Sequence, residues 1–164
     1  MFREMRRKRQ LLLKKEIDEI LKYRTVGILA VHGDNGYPYA VPVSYAYGKG
    51  KIYLHSARSG HKIDSLKNDA RVSFCVVDKD QIVPETFTTY FRSVIIFGRA
   101  KIIKNEAERI EILSRLGEKY APGRIAECQK EIQTQLNNTC VIEITIEHMT
   151  GKEAIELVQS REQV

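Results

Sequence analysis

Residues 25–57 read TVGILAVHGDNGYPYAVPVSYAYGKGKIYLHSA, and most of the expected fold follows from this stretch. Two apolar, β-branched runs, Thr25 to Val31 and Tyr37 to Tyr47, flank Asp34-Asn35-Gly36, and Asn-Gly supplies the positive φ angles of a tight hairpin. Gly48-Lys49-Gly50 turns the chain into a third strand, Lys51 to Ala57. Three strands joined by turns, with no helix between them, predict an antiparallel sheet.

The return strand of this hairpin contains Pro38 and Pro42. A proline cannot donate to a ladder, so the strand is expected at a sheet edge, interrupted, or with backbone groups free for a ligand. In the ligand interpretation, residues 40–44 offer N–H and C=O groups to a planar molecule, and Val41 and Val43 add apolar contact. In the alternative, the prolines protect an edge strand against aggregation.

The rest of the chain, taken as one domain over residues 1–164, continues the barrel and adds helices. An amphipathic N-terminal helix is predicted in residues 1–23 from Leu13, Ile17, Ile20 and Leu21. Barrel strands fill residues 25–104, helices fill 105–137, and the last strand, expected to be half-buried, lies in 140–153. About six strands in this order favour a mainly β fold, an antiparallel barrel with attached helices, over a doubly wound parallel sheet.

Three local features refine this picture. The polar stretch Asp78 to Thr88 is predicted as a surface loop. Gly98 lies in the middle of a long strand, Thr89 to Lys104, and is expected to mark a bend at a barrel corner. Asn105, with Glu108 three residues on, is predicted to cap the helix that follows.

Composition and charge exclude several classes of protein. No apolar run approaches the roughly 20 residues of a membrane helix, and the N-terminal Leu stretch is too short for a secretory signal, so a cytoplasmic location is expected. Cys75, Cys128 and Cys140 lack zinc-site spacing, so no metal is expected. Of the net charge of +6, residues 1–24 carry nine Lys or Arg against four Asp or Glu. This predicts a solvated helix face and not a nucleic-acid site, because no aromatic platform accompanies it.

The end of the third strand, Ile52 to Lys62, reads IYLHSARSGHK. Hydroxyls, a glycine and cations at the start of a helix can hold a phosphate, since the first N–H groups of a helix lack partners. The candidate residues are Ser56, Arg58, Ser59, Gly60 and Lys62. In the alternative, Ser59 merely caps the helix and the basic groups point to water. The usual nucleotide and hydrolase motifs, GxGxxG, the Walker loop, HExxH and GxSxG, do not occur.

Five segments, in this order, carry a resemblance to a known family: residues 36–45, 52–57, 60–66, 93–100 and 150–152. The chain resembles the flavin-binding split-barrel family related to pyridoxamine 5'-phosphate oxidase, and most of all its nitroimidazole-resistance branch. The resemblance implies a six-stranded split barrel and a homodimer with FMN in two clefts at the subunit interface. It also implies an oxidoreductase that reduces a small organic compound, with nitroaromatic compounds as candidate substrates and NAD(P)H as a candidate donor. The alternative is a non-catalytic flavin- or haem-binding module for sensing, storage or detoxification.

The same resemblance assigns roles to individual residues. Val41, Pro42, Val43 and Ser44 would run beside the isoalloxazine, and His55, Ser56 and Ala57 would line the ribityl chain and ring. Lys62, helped by Arg58 or Ser56, would hold the phosphate. Ser93 and Val94 would contact the flavin from the long strand, in the same subunit or from its partner. His55 matches a histidine proposed to act on substrate in the nitroimidazole-resistance branch, and is the candidate catalytic residue; the alternative is a hydrogen-bonded core histidine.

Overall fold

The chain is built around one antiparallel sheet, and the computed structural model describes residues 1–162. The strands are β1 (Val26–His32), β2 (Pro38–Ser44), β3 (Ala46–Gly48), β4 (Lys51–Ala57), β5 (Arg71–Val83), β6 (Thr88–Ile103) and β7 (Thr139–Glu153). The helices are α1 (Lys14–Tyr23), α2 (His61–Asn68), α3 (Glu106–Tyr120), α4 (Ile125–Gln135) and α5 (Ile155–Glu162). None of these helices has the length and hydropathy that a membrane crossing requires.

The strands lie in the order β2-β1-β5-β6-β7-β4-β3, and every neighbouring pair is antiparallel. The sheet curls so that β2 also contacts β4, although no ladder joins these two strands. Gly98 bends β6 as predicted: the β6–β7 register shifts between Phe97 and Gly98, and a Cβ on Gly98 would lie 2.3 Å from the Thr145 carbonyl oxygen. The predicted antiparallel split barrel is confirmed.

The sheet has seven strands where six were predicted, because the return run of the first hairpin divides at Tyr45. The Tyr45 side chain is fully buried, and its backbone N–H donates to the Tyr120 hydroxyl at 2.7 Å. The same hydroxyl lies 2.8 Å from the Tyr45 carbonyl oxygen. A side chain therefore satisfies the backbone that would otherwise join a ladder, and the strand is interrupted there.

Residues 78–88, predicted as a loop, instead extend a hairpin. After a register shift between Val77 and Lys79, β5 continues to Val83 and pairs with the start of β6, with Val83 opposite Thr88. The prediction was wrong because β6 is long enough to satisfy the backbone of these residues, whatever the polarity of their side chains.

The main core fills the barrel, and α1 covers one end of it with Ile17, Ile20 and Leu21. Leu13, expected on the same face, is instead 72% exposed because the helix begins at Lys14. Leu12 is buried in its place, and its N–H donates to the Gly151 carbonyl at 3.0 Å.

A second, smaller core explains why β7 is buried on both faces where half-burial was expected. The helix α3 packs Ile112 and Leu116 against the outer side of the sheet, over Val141. Glu143 is also buried here, and Lys51 donates to its carboxylate at 2.7 Å. Simple alternation along β7 therefore predicted exposure for residues that α3 covers.

Candidate functional site

The turn between β4 and α2 forms a site with unused hydrogen-bond donors. Gly60 is the N-cap of α2, with φ 120° and ψ 169°, and no side chain caps the helix, so Ser59 does not play the capping role of the alternative interpretation. The Gly60 carbonyl accepts from Ile63 and Asp64 at 2.9 and 3.1 Å. The N–H groups of residues 61 and 62 begin the helix and have no acceptor within it. These donors and the positive end of the helix dipole favour an anion.

Lys62 places a positive charge beside these donors. Burial lowers the pKa of its half-buried ammonium, because desolvation disfavours the charged form. Within residues 1–162 no carboxylate lies in ion-pair distance of Lys62. A partly buried cation without a counter-charge is costly unless a ligand supplies one. Lys62 is thus a cation whose charge a bound phosphate could compensate.

Ser56, Ala57 and Arg58 precede the turn, at and just after the end of β4. Arg58 donates from its guanidinium to the Asn137 carbonyl at 2.8 Å, and so it is held against the segment that follows α4. Ser56 is half-buried opposite Cys140, whereas Ala57 is exposed opposite Thr139. The structure therefore brings Arg58, Ser56 and Ala57 close to the turn in sequence and space, with Arg58 already bonded to the protein.

His55 faces away from the barrel interior. Ile52 and Leu54 on the same strand point into the main core, and His55 has the opposite, exposed orientation. It lines a groove of about 520 Å³ between β4 and the α3–α4 pair, together with Leu113, Ala121, Arg124, Glu127, Cys128, Glu131, Ile132, Gln135 and Thr139. No hydrogen bond to the imidazole is formed within the described chain, so His55 does not have the surroundings of a hydrogen-bonded core histidine.

The electrostatics of His55 favour its neutral form. Burial lowers the pKa of the imidazole, and the charge of Lys62 lowers it further. Both effects favour the neutral ring, in which one nitrogen can accept a proton. The other histidines have neighbours of their own: His61 stacks on Tyr39 at 4.1 Å between centroids, and His148 stacks on Phe2 at 4.8 Å.

The β2 segment lies at the sheet edge, which is one of the alternatives that its prolines left open, and within residues 1–162 it pairs only with β1. Val41 and Val43 pack against the main core, so their side chains do not face a ligand on the outer surface. Pro42 and Ser44 are exposed, and Pro42 lies opposite Ile28. The expected contact of Val41 and Val43 with a flavin ring stays a prediction.

Ser93 and Val94 lie far from the turn within one chain. Val94 is fully buried in the core, and only Ser93 is on the outer side of β6, opposite Lys152 of β7. His55 pairs with Val141 of the same strand. The eleven residue-to-residue steps from Val141 to Lys152 correspond to a strand length of about 36 Å. Most of the length of β7 therefore separates Ser93 from the β4 turn along the sheet.

An apolar patch surrounds Ser93. The outer sheet face, as we call it, comprises residues that are 37% to 53% exposed: Val26, Ile28, Val77, Ile95 and Phe97. Strand register connects it to β2, since Pro42, Ile28, Cys75 and Ile95 lie opposite one another in turn. Phe2 stacks on Phe97 at 5.5 Å and covers one margin. No hydrophobic pattern along a single strand identifies this face from sequence.

Sequence reasoning missed several polar residues near the turn, among them Lys67, Lys104 and Arg109. They come from α2, the end of β6 and α3, and no motif connects them. Within residues 1–162 no three His, Cys, Asp or Glu side chains gather as metal ligands.

The fold is that of a split-barrel protein with a basic turn between β4 and α2. A family model described as pyridoxamine 5'-phosphate oxidase matches residues 14–153, and the chain belongs to this family. The predicted family is therefore confirmed. A comparison with curated proteins gives no match.

Solved structures share the fold over most of the chain. A protein described as a 5-nitroimidazole antibiotic resistance protein, from Bacteroides thetaiotaomicron, is 22% identical with TM-score 0.74, covering 87% of this chain and 86% of that one. The FAD and heme binding protein from Mycobacterium smegmatis is 20% identical with TM-score 0.76, covering 89% and 73%. A FAD-binding protein from Mesorhizobium loti is 26% identical with TM-score 0.62, covering 88% and 97%.

Proposed function

We propose that this protein is a flavin-dependent oxidoreductase that acts as a homodimer and reduces a small organic compound, nitroaromatic compounds being the first class to test. FMN is the proposed cofactor, and NAD(P)H is the proposed electron donor. The observation that carries the proposal is the uncompensated Lys62 ammonium beside free helix N–H groups, in a chain of the pyridoxamine 5'-phosphate oxidase family.

The residues of the turn suit a flavin phosphate. The N–H groups at the start of α2 and the Lys62 ammonium together offer directed donors and a counter-charge. Gly60, with its positive φ, leaves the backbone open, since no atom lies within 4 Å of where a Cβ would be. The free edge of β2 adds backbone donors and acceptors for the polar rim of a planar ring.

A second copy of the chain would complete the site. The outer sheet face is an exposed apolar patch that runs across several strands to the edge at β2. Burying it against its own copy would remove this patch from water, which is the usual fate of such surfaces. Ser93 is on this face and remote from the turn of its own chain, so its predicted flavin contact requires the partner subunit.

The bound flavin would supply one- and two-electron transfer, and the protein would supply position, charge and proton handling. Lys62 would fix the phosphate end. The neutral imidazole of His55, exposed in its groove, can accept a proton from a small molecule or donate a hydrogen bond to it. The apolar side chains Leu113 and Ile132 would hold the carbon skeleton of such a molecule beside His55 and limit its contact with water.

A second candidate is a binding module without turnover. The unbonded imidazole of His55 in a groove with apolar walls is also suited to a haem iron, since imidazole is a common axial ligand. In this second candidate, His55 would coordinate the haem iron and would not accept a proton from a substrate.

The absorption spectrum of the purified protein distinguishes the two. Flavin bands in the blue and near-ultraviolet support the oxidoreductase, and a Soret band supports the haem module. Anaerobic NADPH or NADH should then bleach the flavin bands, and a nitroaromatic compound should restore them. The Lys62→Glu variant should lose FMN affinity by roughly 10- to 100-fold, because it replaces a charged contact with repulsion. Lys15→Glu, on the exposed side of α1, makes the same charge change and should retain FMN.

A further inference from the structure

A second basic pocket lies beside the turn. The four-cation pocket, of about 430 Å³, is lined by Arg58, Lys67, Lys104 and Arg109, which come from the end of β4, α2, the end of β6 and α3. Its remaining walls are Ile63, Ile102, Ile103, Thr139 and Cys140. Among the described residues, no acidic side chain lines it. Its volume is in the range of small-molecule sites.

The two guanidinium groups are fixed without being neutralised. Arg109 donates to the Thr139 carbonyl at 2.8 Å and also to the Leu136 carbonyl, and Arg58 donates to Asn137 in the same segment. These carbonyls take some of the five N–H donors of each guanidinium and leave its charge in place. Both guanidinium groups are therefore held in position and keep N–H donors for an oxyanion. Arginine binds phosphate through paired N–H donors of this kind.

The charges of the pocket are largely uncompensated. Within the described residues 1–162, the only ion pair made by any of the four is Lys67 with Asp64, at 3.3 Å on the surface. Burial raises the pKa of the Cys140 thiol, and the charges of Arg109, Arg58, Lys67 and Lys62 all act against this rise. The positive potential of the pocket therefore converges at Cys140 with that of Lys62. Arg58 precedes the turn and Ile63 follows Lys62, so two of the residues that line the pocket flank the turn in sequence.

We propose that the four-cation pocket binds a second phosphate group of a nucleotide, next to the phosphate that Lys62 grips. The inference rests on the proposed function, which places the first phosphate at the turn. The second phosphate has two chemical sources. It belongs to a dinucleotide form of the flavin, whose pyrophosphate would extend from Lys62 into the pocket, or to a phosphorylated nicotinamide nucleotide that delivers electrons.

The test compares ligands that differ by one phosphate-bearing part. Apoprotein of the full chain is titrated with FMN and FAD by flavin fluorescence, and flavin-loaded protein is titrated with NADPH and NADH. Each ligand is measured on wild type and on the double variant Lys67→Gln/Lys104→Gln. These side chains are exposed, and the two anchored arginines are retained. Lys130→Gln, on the exposed side of α4, is the matched control.

If the pocket binds a flavin dinucleotide, wild type should bind FAD at least about tenfold more tightly than FMN. The double variant should then bind FAD and FMN with similar affinity. A nicotinamide source predicts the same pattern for NADPH over NADH. The control should keep the wild-type preference in either case. Equal affinities within both ligand pairs in wild type, or a preference that the double variant retains, would overturn the proposal.

Failure of the proposed function gives a different result. If the apoprotein binds no flavin at all, inorganic pyrophosphate is titrated in its place and followed by amide NMR shifts. Shifts at residues 58, 67, 104 and 109 that disappear in the double variant would support the pocket on its own. Absence of such shifts in wild type would reject it.

Discussion

The Lys62 ammonium and the His55 imidazole lie close enough for the lysine charge to lower the histidine pKa, in addition to the larger effect of burial. A ligand phosphate at Lys62 would neutralise that charge, so the protonation of His55 is coupled to occupancy of the turn. Under the proposed function, this pair would connect cofactor binding at the turn to the protonation of His55 in the neighbouring groove.

The Lys62→Gln variant should raise the pKa of His55, because it removes the nearby positive charge while burial remains. Histidine Cε1–H NMR titration of apoprotein measures the shift, with the signal assigned from a His55→Gln variant. Bound FMN should raise the same pKa in wild type. Lys15→Gln, remote on α1, should leave it at the wild-type value. An identical His55 titration in wild type and Lys62→Gln would contradict the coupling.

His55 should also make stability fall in acid. Its pKa is lower in the folded chain than in the unfolded one, so the unfolded state binds more protons between these two pKa values. The stabilising contribution is complete above about 6.5, the unfolded value, and is lost as the pH falls through the folded one. Urea unfolding of wild type and His55→Gln at several pH values should show a difference that shrinks as the pH falls. A difference independent of pH would argue against it.

Lys119 should titrate unusually low for a lysine. Burial lowers its pKa to about 8, and its ammonium lies 4.0 Å from the Tyr45 ring centroid and donates to the Arg24 carbonyl at 2.6 Å. Since the folded pKa is below the unfolded one, stability should rise as the pH increases from about 8 towards 10.4. NMR of ¹³C-methylated lysines measures the value, with Lys119→Met to assign it. A lysine signal at Lys119 that titrates with the others would contradict the prediction.

Gly27→Ala should destabilise the barrel by about 1–3 kcal/mol through overpacking. A Cβ at Gly27 would lie 2.2 Å from the Cζ atom of Phe74, which is fully buried. Urea unfolding measures the loss. Phe74→Leu vacates part of this space, so the double variant should lose less stability than the sum of the single variants. Strict additivity would mean that the ring does not limit position 27.

Ile95→Lys should convert the proposed homodimer to monomers, because it places a charge at the centre of the outer sheet face. Sedimentation velocity measures the change, and flavin affinity should fall with it, since Ser93 would no longer reach the partner's site. Ile125→Lys adds the same charge at an exposed position on α4 and should remain dimeric. A wild-type protein that is monomeric at micromolar concentration would exclude the dimer.

Local chemistry made much of the fold predictable. The hairpin forms where Asn35 and Gly36 have positive φ angles of 56° and 78°, and Asn105 accepts from the Glu108 N–H at 3.0 Å as a cap should. These features depend on neighbours in sequence. Burial of Val141 and extension of β5 past Val77 depend on α3 and β6, which are far along the chain, so alternation could not reveal them.

The candidate site likewise contains some residues that could be predicted from local sequence and others that could not. Lys62 follows a strand and a glycine at the start of a helix, so its place could be predicted from spacing. The four-cation pocket gathers residues from positions 58 to 109, and its members share no period or motif. The direction of Val94 into the core follows from strand pairing, which sequence alone left open.

Arg58 bonds to a carbonyl 79 residues away, and so a single side chain links the β4 turn to the end of the α3–α4 hairpin. A ligand that displaces the Asn137 carbonyl from this guanidinium would remove one link between the turn and the helical hairpin. A ligand that accepts hydrogen bonds only from the remaining N–H groups of Arg58 would strengthen that link. The rate at which a protease cleaves α4 should therefore differ between these two kinds of ligand.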